Sequence, residues 1–269
     1  MQDQYVGDVG DFGKYGLLRR LCGMTGSDGR SALSLGVVWY LMPNGGGNDG
    51  KHQSYLAPPL NNRNRECFRK CDDHLYDTLD DIVYHGLYPK VQRQRRTVRA
   101  VQDSNILPGA VFYDDLLVVD GRPVDRKAWA KAGVERTDDC DVIFVDPDNG
   151  LEPASGPSRK HVAFSEIAEF MRQRKSRQAK SLVVYHHLHH SASADEQIRS
   201  RTRDLQRCLG TSHVISLRYR RGSPRAYFIL PNGREDLFNE RVEAFLNDSW
   251  GQEKLRGRPH FQPVSEAQR

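Results

Sequence analysis

The segment VIFVDPDNGLEP, Val142 to Pro153, is where the residue types and spacing of this chain most suggest chemistry. Four apolar residues run straight into Asp146, Pro147, Asp148 and Asn149, and Glu152 follows three positions later. A strand buried in a core thus ends in carboxylates and an amide. Pro147 fixes the backbone directly after Asp146, which suits a site where a strand-end side chain and its neighbouring carbonyls aim at one atom. Asp146, Asp148 and Glu152 are hard oxygen ligands of the kind that hold Mg²⁺ for phosphodiester or phosphoryl cleavage. Asp8, Asp11 and Lys14, folded nearby, would add ligands and a cation. The same residue types also suit a β-turn, and acidic residues also cap helices.

Two further polar segments follow apolar runs. NGGGNDGKH, Asn44 to His52, is the most glycine-dense stretch of the chain. Its glycines allow close backbone approach and N–H donation to a ligand, and Asn44, Gly45, Asn48, Asp49, Lys51 and His52 are candidate ligand contacts. It has neither a Walker A nor a GxGxxG form, and it also reads as a simple flexible loop. HHLHH, His186 to His190, invites a zinc reading. Alternate strand residues face opposite sides, and no cysteine lies nearby at ligand spacing, so a general acid or base role for His186 or His187 is the better expectation. Cys67 and Cys71, at i and i+4, read as ordinary helix residues.

These loops need a scaffold, and the periodicity supplies one. YVGDVGDFG reads as a loop leading into a helix over 14–22, where Leu17, Leu18 and Leu21 form a stripe. SLGVVWYLMP, 34–43, reads as a strand buried on both faces. A long amphipathic helix is predicted over 64–84 from Phe68, Leu75, Leu79, Ile82 and Val83, then a short strand over 111–113 and a helix over 125–132. From there strand 141–145, helix 164–174, strand 181–185 and helix 195–209 alternate as in βαβ units with a parallel sheet. HVISLRYR and AYFILP, separated by RGSP, must pair as an antiparallel hairpin, and a helix over 235–246 follows. The expected organisation is one α/β domain over 1–249, with 61–125 a possible helical insertion or subdomain and 250–269 a flexible tail.

Composition narrows the class. At 269 residues with 38% apolar content, the chain can bury an ordinary core. The net charge of +5 hides local basic clusters at Arg93–Arg96 and Arg172–Lys180, which favour an anionic partner or simply form solvated helix faces. Five scattered cysteines form no disulfide framework, no basic-then-apolar leader opens the chain, and no apolar run spans a bilayer. The expectation is a soluble cytoplasmic protein with no membrane partner.

The order of these elements resembles a known family. A hydrophobic strand ending in Asp-Pro-Pro-Tyr, followed by a sheet that ends in an antiparallel hairpin, belongs to amino-group methyltransferases that use S-adenosylmethionine. YVGDVGDFGKYGLL, Tyr5 to Leu18, is similar to the amino-terminal segment of the RlmJ-like bacterial 23S rRNA adenine-N6 methyltransferases. Here Asp148 and Asn149 replace the second proline and the aromatic, and the glycine loop lacks the usual acidic-x-Gly-x-Gly form.

The resemblance implies a methyltransferase-like Rossmann fold, with Asp11, Lys14, Tyr15 and the glycine loop near S-adenosylmethionine, and a nucleic-acid base or nucleotide as substrate. Asp146 and the carbonyl of Pro147 would accept the N–H bonds of the acceptor amine and align its lone pair. A base taken from a duplex would need an aromatic platform, for which Tyr185, Trp39 and Tyr40 are candidates. Two other classes remain open at this point. One is a Mg²⁺-dependent nuclease or phosphohydrolase using Asp146, Asp148 and Glu152, and the other is a non-catalytic nucleic-acid-binding protein.

Overall fold

The structure is a computed structural model, and it describes residues 1–24, 33–45, 50–56, 62–85, 96–172, 179–189 and 192–265. In chain order the elements are α1 (Val9–Leu21), β1 (Leu35–Val38), α2 (Asn62–Arg69), α3 (Asp73–Asp80), α4 (Val98–Asp103), β2 (Val111–Tyr113), β3 (Val118–Val119), β4 (Arg122–Pro123) and α5 (Arg126–Arg136). They continue as β5 (Val142–Val145), β6 (Gly150–Leu151), β7 (His161–Val162), α6 (Phe164–Met171), β8 (Ser181–His187), α7 (Ala194–Leu209), β9 (Ile215–Tyr219), β10 (Arg225–Leu230), α8 (Glu235–Asn247), α9 (Ser249–Gln252) and β11 (Phe261–Pro263).

Seven strands form one sheet in the order β11-β9-β10-β8-β5-β1-β2. β2, β1, β5 and β8 run parallel, and β10 lies antiparallel between β8 and β9. The architecture is mixed α/β with a large central sheet, compatible with a Rossmann-like fold. β1, β5 and the Leu182–Tyr185 stretch of β8 are unbroken apolar runs, as suits strands buried on both faces. Val37, Phe144 and Val183 turn into one core with Phe12, Leu17 and Trp250, while Val38, Val145 and Val184 turn into another with Trp129, Ile167 and Leu205. Among the described residues no helix is long and apolar enough to cross a membrane.

The first helix starts five residues earlier than its apolar stripe suggests. Asp8 caps it, its Oδ1 accepting from the Gly10 N–H at 2.9 Å. Gly10, Gly13 and Gly16 recur every three residues, and a Cβ at each would come within 2.5, 2.5 and 2.1 Å of Arg225, Tyr219 and Trp250 respectively. Each glycine costs about 1 kcal/mol of helix propensity, which is why the segment reads as a loop. What the glycines allow is direct contact between the α1 backbone and those three side chains.

Other boundaries also differ from expectation. The strand predicted over 34–43 ends at Val38, and Tyr40, at a φ of 45°, turns the chain out of the sheet. The helix predicted over 64–84 breaks at residues 70–72, because Asp72 both caps α3 at the Leu75 N–H and binds Arg19 at 2.7 Å. A π-helical turn over Asp81–His85 then extends α3. Phe68, Leu75, Tyr76 and Leu79 enter the same core as α1, and the segment continues through α4 into β2, an edge strand of the main sheet.

The tail expected to be flexible is instead built in as far as Ser265. β11 pairs with β9, and Phe261 is fully buried with Tyr219, Phe245 and Trp250 at ring distances of 4.7, 4.9 and 5.9 Å. Phe261, whose burial contributes about 1.5–3 kcal/mol, anchors this segment together with the buried Trp250 and His260. Residues 266–269 lie outside the described ones. In the two basic clusters, Arg96 donates to the carbonyls of Val6, Gln4 and Gly50, and Lys180 is buried against Asp138 at 2.6 Å. Neither is a free surface charge, and 93–95 and 173–178 fall outside the described residues.

The glycine contacts lead to a stability prediction. Gly16→Ala forces a methyl into the Trp250 ring and is expected to destabilise the protein by about 1–3 kcal/mol, outweighing the gain in helix propensity. Gly45→Ala meets only the Gln2 Oε1 at 3.6 Å and should be near neutral. Urea denaturation of both variants measures the contrast, and equal stabilities would contradict the packing described.

Candidate active site

The carboxyl ends of β5 and β8 and the amino end of α1 converge on a cleft of about 350 Å³. Lys14 lies at its centre. It sits three residues after Asp11, so both project from one face of α1. The Lys14 Nζ donates to Asp11 Oδ1 at 2.8 Å and to Asp146 Oδ2 at 2.7 Å. Lys14 is 4% exposed and Asp146 2%. The rings of Tyr15, Trp39 and Tyr185 each have their centroids 5.7 Å from the ammonium, adding cation–π attraction.

Electrostatics follow from this burial. Desolvation alone would lower the Lys14 pKa, but Asp11 and Asp146 overcome it and hold the ammonium well above its ordinary value. For Asp11 the balance tips the other way. Burial raises its pKa, and the lowering effect of Lys14 offsets this only in part.

A second brace closes the cleft beside the first. Asp8 Oδ1 accepts from Arg225 Nη2 at 2.8 Å as well as from the cap, and its Oδ2 accepts from the His52 N–H at 3.1 Å. One carboxylate therefore joins α1, β10 and the end of the glycine loop. Asp148 Oδ1 lies 2.5 Å from the Met1 nitrogen and its Oδ2 accepts from Gln2 Nε2 at 2.8 Å. Burial raises the Asp148 pKa, but the amino group and the Gln2 bond prevail and leave it below the usual carboxylate range.

Several expected residues do meet. Asp11, Lys14, Lys51, His52, Asp146, Pro147, Asp148, Asn149 and His187 all line the cleft. Others do not. Tyr15, one helical position past Lys14, is turned into the core, where its ring packs edge-on against Trp39 at 6.3 Å. Asn44 and Gly45 hold the amino-terminal segment, Asn44 Oδ1 accepting from the Gln4 N–H and the Gly45 N–H donating to Gln2 Oε1. Asn48, Asp49 and His190 lie outside the described residues.

His186 faces away from this cleft, as strand alternation requires, and its Nδ1 accepts from the Leu151 N–H at 3.0 Å. Burial, then the charge of Arg201, push its pKa down to about 3, so it does not titrate near neutral pH as a general base would. Glu152 caps α6, accepting from the Phe164 N–H at 2.7 Å. The carboxylates expected to share a metal are thus engaged separately, by Lys14, by the Met1 nitrogen and by a helix end. Among the described residues no group of three or more His, Cys, Asp or Glu is arranged to hold a metal ion. Of the expected aromatic platforms, Tyr185 lines the cleft, whereas Trp39 and Tyr40 are enclosed in the two cores.

Sequence reasoning missed Arg225, Tyr5, Lys160 and Ser223, which also line the cleft. Arg225 had a visible signal. It is a lone cation opening an otherwise apolar strand, RAYFIL, that is buried throughout. The chain matches no family model and no curated protein.

Lys14→Met removes the one cation between two buried carboxylates, a change expected to cost about 3–5 kcal/mol. Asp11 has a raised pKa in the fold, so the folded state binds more protons than the unfolded chain across that window and stability falls as pH rises through it. Losing Lys14 widens the window. Urea denaturation as a function of pH should show the Lys14→Met deficit greatest near neutral pH and smaller as pH falls toward the carboxylate range. A deficit independent of pH would contradict the assignment.

Proposed function

We propose that the protein is an S-adenosylmethionine-dependent methyltransferase acting on an amino group of a nucleic-acid base or nucleotide. The observation that carries this reading is the Asp146-Pro147 strand end, opening into a cleft at the carboxyl rim of parallel strands, with Lys14 of the amino-terminal motif bonded to the same carboxylate. The antiparallel β9–β10 hairpin beyond β8 supports the reading, although β11 adds a further strand outside it at the edge of the sheet.

The donor set in the cleft suits the cofactor. S-adenosylmethionine carries a carboxylate, an ammonium and a sulfonium, and the cleft offers Lys51 and Arg225 to the first and carboxylates to the other two. The volume falls within the roughly 300–1,000 Å³ usual for small-molecule sites. Gly10 and Gly50 stand at its wall, where a Cβ would collide with the Arg225 guanidinium and the Gln4 carbonyl respectively. Asp8, Asp11 and Lys51 are the residues that would hold the cofactor, which supplies an electrophilic methyl group.

The remaining chemistry belongs to this chain. Asp146 Oδ2 is held by Lys14, which leaves Oδ1 as acceptor for one N–H of the substrate amine. The Pro147 carbonyl accepts the other. Two acceptors on one nitrogen direct its lone pair forward, and orientation of this kind accounts for much of the rate gain in such transfers. Asn149, exposed at the rim, cannot stack as an aromatic would, so Tyr185 is the ring available to the base.

Calorimetry tests the reading against its metal-dependent rival. Titration with S-adenosylmethionine should give saturable heat and Mg²⁺ alone none. Asp146→Asn should keep cofactor binding while slowing methyl transfer to an oligonucleotide by about 100-fold or more. Heat from Mg²⁺ that disappears in Asp148→Ala, with no response to S-adenosylmethionine, would overturn it.

A further inference from the structure

β8 presents two successive histidines to opposite faces. His187 lines the cleft already described, and His186 lines a second one, of about 430 Å³, between the end of β8, Ala154 and α7. Only one residue step, about 3.8 Å of chain, separates the two histidine Cα atoms. The second cleft carries Arg201, Arg203, Ser200 and Gln197 from α7.

The groups in this cleft are those that bind a phosphate. His186 is 4% exposed, and since its Nδ1 accepts from the Leu151 N–H, the neutral ring carries its proton on Nε2 and is a donor. The ring is held neutral by burial first and then by the guanidinium charge of Arg201. Arg201 is fixed by the Glu152 carbonyl and Asp204, both at 3.2 Å. Asp204 is met a second time by Arg207 at 2.7 Å, so its charge is answered within the helix. Arg203 is exposed and has no acidic partner among the described residues. The second carboxylate of the cleft, Glu196, lies on the exposed first turn of α7.

We propose that the second cleft is a phosphate subsite, in which Arg203, Arg201 and the Nε2–H of His186 hold a backbone phosphate of the nucleic-acid strand whose base occupies the first cleft. The inference rests on a nucleic-acid substrate at the first cleft. Guanidinium groups neutralise the phosphate and a neutral buried donor fixes one of its oxygens, a combination that positions a strand without reading its sequence.

Fluorescence anisotropy with a labelled single-stranded oligonucleotide, RNA and DNA in turn, tests this on the full chain. Arg203→Ala, on an exposed helix face, should weaken binding about fivefold and lower the salt slope by about 0.7, the value for one lost contact to a single strand. His186→Asn keeps an acceptor for the Leu151 N–H, but its shorter amide does not reach the position of the imidazole Nε2–H, and it should weaken binding with the salt slope unchanged. S-adenosylmethionine titrated calorimetrically into the same variants should bind as in the parent. Absence of cofactor heat in every protein, with oligonucleotide binding still dependent on Arg203, removes methyl transfer and upholds the subsite. Oligonucleotide binding that is absent or indifferent to both substitutions overturns it. Binding of inorganic phosphate that depends on Arg203 without any oligonucleotide binding overturns it as well, in favour of a free-phosphate site.

Discussion

The buried ammonium of Lys14 organises the cleft side of this molecule. Lys14 is taken out of water and answered by Asp11 from its own helix and by Asp146 from the end of β5, 132 residues along the chain. A charge so placed is tolerated only with close partners, so α1 cannot slide or rotate on the sheet without leaving two carboxylates and an ammonium unpaired. The Gly10, Gly13 and Gly16 stripe brings the α1 backbone close enough for this reach, and Trp250 and Tyr219 fill the other side of the contact.

From that constraint the cleft follows. With α1 seated against the carboxyl ends of the parallel strands, Asp8 reaches Arg225 and the His52 N–H, and the Asp146-Pro147 turn opens between them. Strand alternation then decides what each neighbour does. Tyr185 and His187 face the cleft, and the intervening His186 faces α7. The proposed methyl transfer and the proposed phosphate subsite thus draw on adjacent residues of one strand end, separated by the direction in which their side chains leave it.

What could be read from sequence follows the strength of the local signal. Val142–Val145, Leu182–Tyr185 and the Ala226–Leu230 stretch of β10 were legible because burial on both faces leaves short continuous apolar runs, and β9 because Ile215, Leu217 and Tyr219 alternate with polar residues. The start of α1 was not, because its glycines serve a tertiary contact and lower the local propensity. The break at residues 70–72 was hidden in a continuous helical pattern, and β11 depends on the buried Phe261, Trp250 and His260. In the site, Asp146, Lys14 and His187 were legible by residue type and position. Tyr15, His186 and Glu152 had equally suggestive types, but one helical step, one strand step and one helix cap direct them elsewhere. Arg225 was missed because its partner, Asp8, lies 217 positions away in sequence.

The central claim is that Lys14 and Asp146 act as one unit, and a double-mutant cycle on Lys14→Met and Asp146→Asn measures it most directly. Unfolding free energies of the two single variants and the double variant should give a coupling of about 2 kcal/mol or more, the double variant being far less destabilised than the sum of the two. Additivity to within about 0.5 kcal/mol would mean that the two residues are independent and that the shared cleft has no common anchor.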